Sequence, residues 1–270
     1  MRLLHAENLL HEYDMRAGVH FTSEKFTVIN DVSLSIYSGE TVALLGRSGC
    51  GKSTLARLLV GLEKPVSGQV WFKDKNLQNL NRRARRQLYR TIQMVFQDPV
   101  SAVNPRLKIG EIIAEPLKGL TNSPSQQLKQ RVLELLKSVQ LDESVYSKYP
   151  EQVSGGQLQR VCIARALGPR PELIILDESV SSLDLHLQTQ MLDLFNKLQQ
   201  EQGIAYLFVT HDLRLVERFC DRVLVMENGK IVEQTAVQKP LVLSSTEGQA
   251  LANAVLAPFP ENLKQFPIAS

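Results

Sequence analysis

The sequence predicts an α/β fold built around a phosphate-binding loop, on three observations. Gly46-Arg47-Ser48-Gly49-Cys50-Gly51-Lys52-Ser53 fits the pattern G-x-x-x-x-G-K-[ST] at every fixed position. An apolar run over 41–45 leads into it, and Leu55, Leu58, Leu59 and Leu62 follow at helical spacing, predicting strand, loop, then helix over 52–62. Three further short apolar runs, at 92–96, 173–176 and 205–210, end in Gln97-Asp98, Asp177-Glu178 and His211-Asp212. Parallel strands of an open sheet deliver ligand-binding groups at their C-terminal ends in this way.

Composition sets the scale. The 270 residues, 43% of them hydrophobic, can bury one large α/β core or a core with a small subdomain. A formal net charge of +3 is too small to argue for nucleic acid. No apolar run approaches 18 residues, and the opening Met1-Arg2-Leu3-Leu4-His5-Ala6-Glu7 has no secretory core. The expected setting is the cytosol, free or docked on a membrane partner. Cys50, Cys162 and Cys220 form neither a disulfide framework nor a metal-ligand spacing. Cys162 and Cys220 read as small core residues. Cys50, beside Lys52 at a helix start, is expected to favour the thiolate, with ATP shielding it from alkylation. His5, His11 and His20 are too loosely spaced for a metal site.

Each loop residue has a chemical reason. Gly46, Gly49 and Gly51 let the backbone turn sharply and aim successive N–H groups inward. The helix starting near Lys52 adds its positive end. Lys52 is placed to reach the β- and γ-phosphates, the Ser53 hydroxyl to bind Mg²⁺, and Thr54 to meet the α-phosphate. At the end of the 173–176 strand, Asp177 is a candidate Mg²⁺ holder and Glu178 a candidate general base. Gln97 suits a metal-bound water, and His211 sits where it could reach the γ-phosphate. These groups converge on nucleotide hydrolysis.

Val153-Ser154-Gly155-Gly156-Gln157-Leu158-Gln159-Arg160 supplies a second anion site, with Ser154 as N-cap of a helix that stops at Gly168-Pro169. This string resembles the signature motif of ATP-binding cassette (ABC) ATPases, and the order of motifs from about residue 3 to 235 matches that family. The resemblance implies a P-loop NTPase (RecA-like) core with an N-terminal antiparallel β-subdomain and an inserted α-helical subdomain. On that reading, 1–235 is the nucleotide-binding domain (1–97 and 169–235 the core, 98–168 the helical subdomain) and 236–270 is an appended segment.

The resemblance also implies roles. Arg47, Ser48, Gly49, Cys50 and the rest of the loop through Thr54 hold one ATP with Gln97, Asp177, Glu178 and His211. Ser154, Gly155, Gly156 and Gln157 serve the nucleotide of an opposite subunit. Ser182-Leu183-Asp184 looks like the family's D-loop, with Asp184 at the seam, and Tyr13 occupies the place of an aromatic that stacks on adenine. Ser179-Val180 and Ser182 depart from the usual Pro-Thr and Ala but remove no catalytic group. The runs 96–106 and 110–117 are similar to the peptide/nickel importer subfamily, and 44–63 and 211–220 to its nickel branch. Peptide-importing relatives often carry further C-terminal cysteines, which this chain lacks after Cys220.

The implied protein is a peripheral ATPase at the cytoplasmic face of the inner membrane, using ATP and Mg²⁺. Its implied partners are a second related ATP-binding subunit, two transmembrane permease subunits and, indirectly, a periplasmic binding protein. Nickel(II) is the implied cargo. The alternatives are a dipeptide, oligopeptide or other metal or metallophore importer, then a non-transport ABC ATPase, then a P-loop kinase or GTPase.

Outside these motifs, Ser123-Pro124-Ser125-Gln126 reads as a capping box opening a helix with Leu128, Val132, Leu135, Leu136 and Val139 on one face. Leu187, Met191, Leu194, Phe195 and Leu198 read as the packing stripe of another helix. Asn228-Gly229 predicts a hairpin turn. Arg82-Arg83-Ala84-Arg85-Arg86 with Arg90 reads as a solvated helix face, or as a contact to anionic headgroups or a membrane partner. No aromatic interleaving suggests nucleic acid. Residues 236–270, with Pro240, Pro258, Pro260 and Pro267, show little periodicity and are expected to be partly irregular.

Overall fold

The computed structural model describes residues 1–17, 22–121, 125–181 and 183–254. His20, the Ser123-Pro124 capping signal, Ser182, Pro258, Pro260 and Pro267 lie outside them. In chain order the elements begin with β1 (Arg2–Ala17), β2 (Thr22–Tyr37), β3 (Thr41–Leu45), α1 (Lys52–Leu59), β4 (Ser67–Phe72), β5 (Lys75–Asn76), α2 (Arg82–Thr91) and β6 (Ile92–Val95). There follow α3 (Ile109–Leu120), α4 (Ser125–Ser138), α5 (Gly155–Leu167), β7 (Leu173–Asp177), α6 (Leu185–Gln202) and β8 (Ala205–Thr210). The last are α7 (Leu213–Phe219), β9 (Arg222–Glu227), β10 (Lys230–Ala236) and α8 (Thr246–Ala254).

Two sheets organise the chain. An antiparallel sheet has the order β2-β1-β4-β5, and a larger one the order β10-β9-β3-β8-β7-β6. In the larger sheet β9, β3, β8, β7 and β6 run parallel, and β10 closes one edge antiparallel through the Asn228-Gly229 turn. Asn228 and Gly229 both have positive φ, 47° and 77°, as this tight turn demands.

The central strands are apolar on both faces because each face is covered. Along β3, Ala43 and Leu45 join one core while Val42 and Leu44 join the other. In β7, Ile174 and Leu176 face the first core and Leu173 and Ile175 the second; in β8, Tyr206 and Phe208 oppose Leu207 and Val209. The first core packs α3, α4, α5 and α6, with Leu128, Val132, Leu135, Leu136, Val139, Met191 and Phe195 buried, and Leu187, Leu194 and Leu198 partly so. The second core packs α1 between the two sheets through Leu55, Leu58 and Leu59. Cys162 and Cys220 are buried in the first core.

Two boundaries differ from the sequence expectation. The phosphate-loop helix ends at Leu59, not Leu62, because Gly61 turns left-handed at φ 72° and leaves Leu62 half exposed. The C-terminal segment is more regular than its composition suggests: Leu243 is buried in the first core and α8 runs over Thr246–Ala254. Among the described residues no helix is long and apolar enough to cross a membrane.

Candidate functional site

β3, β6, β7 and β8 end side by side, and their C-terminal residues line or underlie one cleft of ≈ 750 Å³. The loop after β3 forms its floor. Gly49 and Gly51 adopt φ 82° and 107°, and a Cβ on Gly51 would stand 2.8 Å from the Val28 carbonyl oxygen. At Gly46 the limit is space: a Cβ would lie 2.3 Å from the Met226 carbonyl oxygen. Lys52 is buried, and its Nζ donates to the Gly46 and Arg47 carbonyls at 2.8 and 2.9 Å, so the loop folds around its own ammonium. α1 starts at Gly51 without a side-chain cap, which leaves its first-turn amides to an anion.

Beneath the loop, the Ser53 hydroxyl donates to Asp177 Oδ1 at 3.1 Å. Asp177 is only 3% exposed, and burial pushes its carboxyl above the usual range against the Ser53 hydrogen bond. A buried carboxylate with a hydroxyl beside it is an all-oxygen donor pair short of positive charge, and it fits a hard divalent cation such as Mg²⁺.

Glu178 is the hub of the wall above. Gln97 Nε2 donates to its Oε2 at 3.0 Å, His211 Nδ1 lies 3.8 Å from the same oxygen, and Lys52 Nζ lies 4.0 Å from Oε1. Its backbone is at φ 45°, a conformation that side chains other than glycine rarely adopt and that persists where surrounding structure enforces it. Here the enforcement includes a bond from the Glu178 amide to the Val209 carbonyl at 3.0 Å.

The far end of the cleft is apolar, formed by Tyr13, Phe26 and Val28 from the β1–β2 hairpin. Tyr13 is anchored to the α1 side: its hydroxyl donates to Glu63 at 2.7 Å and accepts from Arg57 at 3.1 Å. Thr54 accepts from the same Arg57 at 3.2 Å. Phe26 and Val28 carry no motif, and only the strand pairing of β1 with β2 brings them to the site.

The signature string stands elsewhere. Ser154 caps α5, accepting from the Gln157 amide at 3.2 Å while the Gln157 side chain accepts from the Ser154 amide at 3.0 Å. Ser154 and Gly155 are exposed, and none of Ser154, Gly155, Gly156 or Gln157 lines the cleft of their own chain. Gly156 lies against Leu183, and Asp184 caps α6 by accepting from the Leu187 amide at 2.9 Å.

α5 also clasps the segment after β6. The buried Gln159 donates to the Phe96 carbonyl at 3.3 Å and Arg165 to the Ala102 carbonyl at 2.7 Å. No motif assigns either of them this role; the signal in the sequence is that polar side chains, Gln159 and Arg165 among them, recur along a largely buried helix. Beside this clasp a hollow of ≈ 390 Å³ opens between Val60, Tyr89, Met94, Phe96, Pro116 and Leu120. It adjoins the exposed face of α2, where Arg82, Arg83, Arg85 and Arg90 form no ion pair among the described residues and Arg86 donates to the Gly119 carbonyl.

Cys50 departs from expectation. Burial outweighs the Lys52 charge and the loop amides, so its thiol is pushed up and the thiolate is disfavoured. His5 and His11 are engaged in the β1 neighbourhood, His5 Nδ1 with Ser35 at 2.9 Å and His11 Nε2 at 3.2 Å from Glu63.

Comparison with known proteins matches this arrangement. The model of the family described as ABC transporter matches residues 29–181. The nickel import ATP-binding proteins NikE of Shigella boydii serotype 4 (strain Sb227) and Escherichia coli (strain K12) are each 55% identical over 260 residues, 96% of this chain and 97% of the relative. Among solved structures, the dimeric post-hydrolysis state of the ATP-binding cassette MJ0796 bound to ADP and Pi superposes with a TM-score of 0.80 at 30% identity, over 87% of this chain and 99% of that one. The cassette cbiO1 of Clostridium perfringens, part of the cbiONQ transporter complex, gives 0.72 at 29% identity, over 88% and 90%.

Proposed function

The chain belongs to the ABC transporter family, and on that premise we propose that it is the ATP-hydrolysing subunit of a nickel(II) importer, working at the cytoplasmic face of the plasma membrane. The observation that carries this reading is the 55% identity to nickel import ATP-binding proteins over 96% of the chain.

The residues divide the work. The loop amides and Lys52 bind the β- and γ-phosphates, while Tyr13, Phe26 and Val28 receive the base. Ser53, Asp177 and Gln97 would hold Mg²⁺, which would supply charge neutralisation at the phosphates. Glu178 accepts the proton of the attacking water, and Gln97, at 3.0 Å, fixes the orientation of its carboxylate. His211, largely exposed at the mouth of the cleft, reaches toward the γ-phosphate.

A second, related cassette completes the site. Its own serine-glycine helix start covers the nucleotide, as Ser154, Gly155 and Gly156 cover the partner's, with Asp184 at the seam. Exposure of Ser154 and Gly155 away from their own cleft supports this crossed arrangement. The apolar hollow around Tyr89 and Phe96 suits a short helix of a permease subunit, and it adjoins Gln97 at the end of β6. Two permease subunits and a periplasmic binding protein complete the importer.

Uptake of radiolabelled nickel and of a labelled dipeptide in cells lacking the gene tests the cargo. Nickel uptake is lost and restored by the wild-type gene, with dipeptide uptake unchanged. The opposite pattern overturns nickel as cargo while leaving the ATPase reading intact.

A further inference from the structure

The C-terminal segment is built to deliver one carboxylate to the back of the phosphate loop. Glu247, in the first turn of α8, is buried, and its Oε1 lies 3.1 Å from Nε of Arg47, the second residue of the loop. Arg47 lines the cleft and its side chain is 65% exposed, whereas Glu247 is buried and does not line it, so the ion pair ties a buried acid to a residue of the nucleotide space.

The segment holding Glu247 is firmly made. Glu233 on β10 receives four hydrogen bonds, from the amides and hydroxyls of Ser244 and Ser245, at 2.6 to 2.9 Å. Ser245 Oγ then accepts from the Gly248 amide at 3.0 Å, opening α8. Gly248 is needed there, since a Cβ would lie 2.7 Å from the Leu243 Cβ and 2.8 Å from Glu233 Oε2. Leu243 anchors the turn in the core, and Glu217 accepts from the Leu241 amide at 2.7 Å.

An acid in this place is electrostatically odd. A buried carboxylate is costly unless paired, and Arg47 is its ion-pair partner. Glutamine would fill the same space without a charge that repels triphosphate. The charge reaches the loop, since after burial the Glu247 carboxylate is among the groups that push the Cys50 thiol up.

We propose that Glu247 is a positioning residue that sets nucleotide affinity by claiming the charge of Arg47. With the pair intact, the guanidinium is neutralised and ATP is held by Lys52 and the loop amides. Without Glu247, Arg47 adds its full charge to the phosphate site. Without Arg47, a bare carboxylate sits behind that site. This rests on the ATP-binding reading above, and it makes the appended segment a brake on nucleotide retention.

The test is equilibrium binding of ATP and Mg²⁺ to the full-length chain in three variants. Glu247→Gln tightens ATP binding by about fivefold, Arg47→Gln weakens it by about tenfold, and the double variant returns to within about twofold of wild type. Adenosine, which carries no phosphate, binds all four proteins alike, and 0.5 M salt shrinks the differences. A merely structural clip would instead weaken ATP binding in both single variants, or shift adenosine equally; either result overturns the proposal, as does unchanged ATP affinity in Glu247→Gln. Arg47→Gln reads the same interaction from the other side should Glu247→Gln fold poorly. If the wild-type chain binds no nucleotide, the ATP-binding reading itself fails.

Discussion

Gln97 Nε2 donates to Glu178 Oε2 at 3.0 Å, joining the ends of two neighbouring parallel strands, β6 and β7. The neutral amide and the carboxylate are thereby set as one unit. Replacing Glu178 by Gln keeps the shape and removes the proton acceptor. ATP turnover falls by roughly 10²–10⁴-fold while ATP still binds. Single-turnover hydrolysis together with size-exclusion chromatography in ATP checks this; the variant accumulates as a closed pair of cassettes. Normal turnover would remove Glu178 from the role of base.

Asp177 is the second carboxylate to test. In Asp177→Asn the Ser53 hydroxyl keeps an acceptor, but the charge that balances a divalent cation is lost. Mg²⁺ dependence of turnover shifts to higher concentration by about 10–100-fold. A magnesium titration of ATPase rate reads the shift directly, and nucleotide binding in EDTA should stay near wild type.

Cys50 lies inside the phosphate loop yet has its thiol pushed up by burial. Alkylation at pH 7 is therefore slower than for a free thiol, and it accelerates as the pH passes 9.0, the ordinary thiol value. Saturating ATP slows it further by covering the loop. Mass spectrometry of the Cys50 peptide over time, with and without ATP, distinguishes this from a reactive thiolate.

Gly51 sits at φ 107° with the Val28 carbonyl 2.8 Å from where a Cβ would be. Gly51→Ala imposes strain and a clash together, costing about 1–3 kcal/mol from the backbone conformation alone. Thermal unfolding should show a clear fall in midpoint, whereas Gly155→Ala, where a Cβ meets nothing within 4 Å, leaves it nearly unchanged.

Glu233 anchors the turn before α8. Burial raises its pKa, but the hydrogen bonds from Ser244 and Ser245 outweigh it and bring the carboxyl from an ordinary 4.5 down to about 2. A depressed folded pKa means that the contribution is complete above pH 4.5 and is lost as the pH falls toward 2. Hydrogen exchange of the amides over 241–250 should rise across that window. Glu233→Gln should show raised exchange already at pH 7.

The sequence carried the parts of the site that are local. The phosphate loop, Asp177-Glu178, Gln97 and His211 each stand at the end of a short apolar strand, so periodicity and spacing mark them, and the parallel sheet sets them side by side. Phe26 and Val28 were illegible because no nearby pattern marks them; a long hairpin aligns them with the loop. Glu247 lies 200 residues beyond Arg47, and nothing in either neighbourhood signals the pair. The helix end at Leu59 is hidden in the sequence because Leu62 continues the apolar spacing, while Gly61 breaks the backbone. The raised thiol of Cys50 is hidden in the sequence because the loop pattern carries the Lys52 charge but not the depth at which the sulfur sits.

Ser154 and Gly155 face solvent, clear of the cleft beside them on the same chain. Under the crossed pairing proposed above, work per molecule is a property of the population. In dilute solution, total turnover grows with the product of the two cassettes' concentrations, and a cell that makes one without the other gains idle protein. Balanced synthesis of the pair then matters as much to import as any side chain in the cleft.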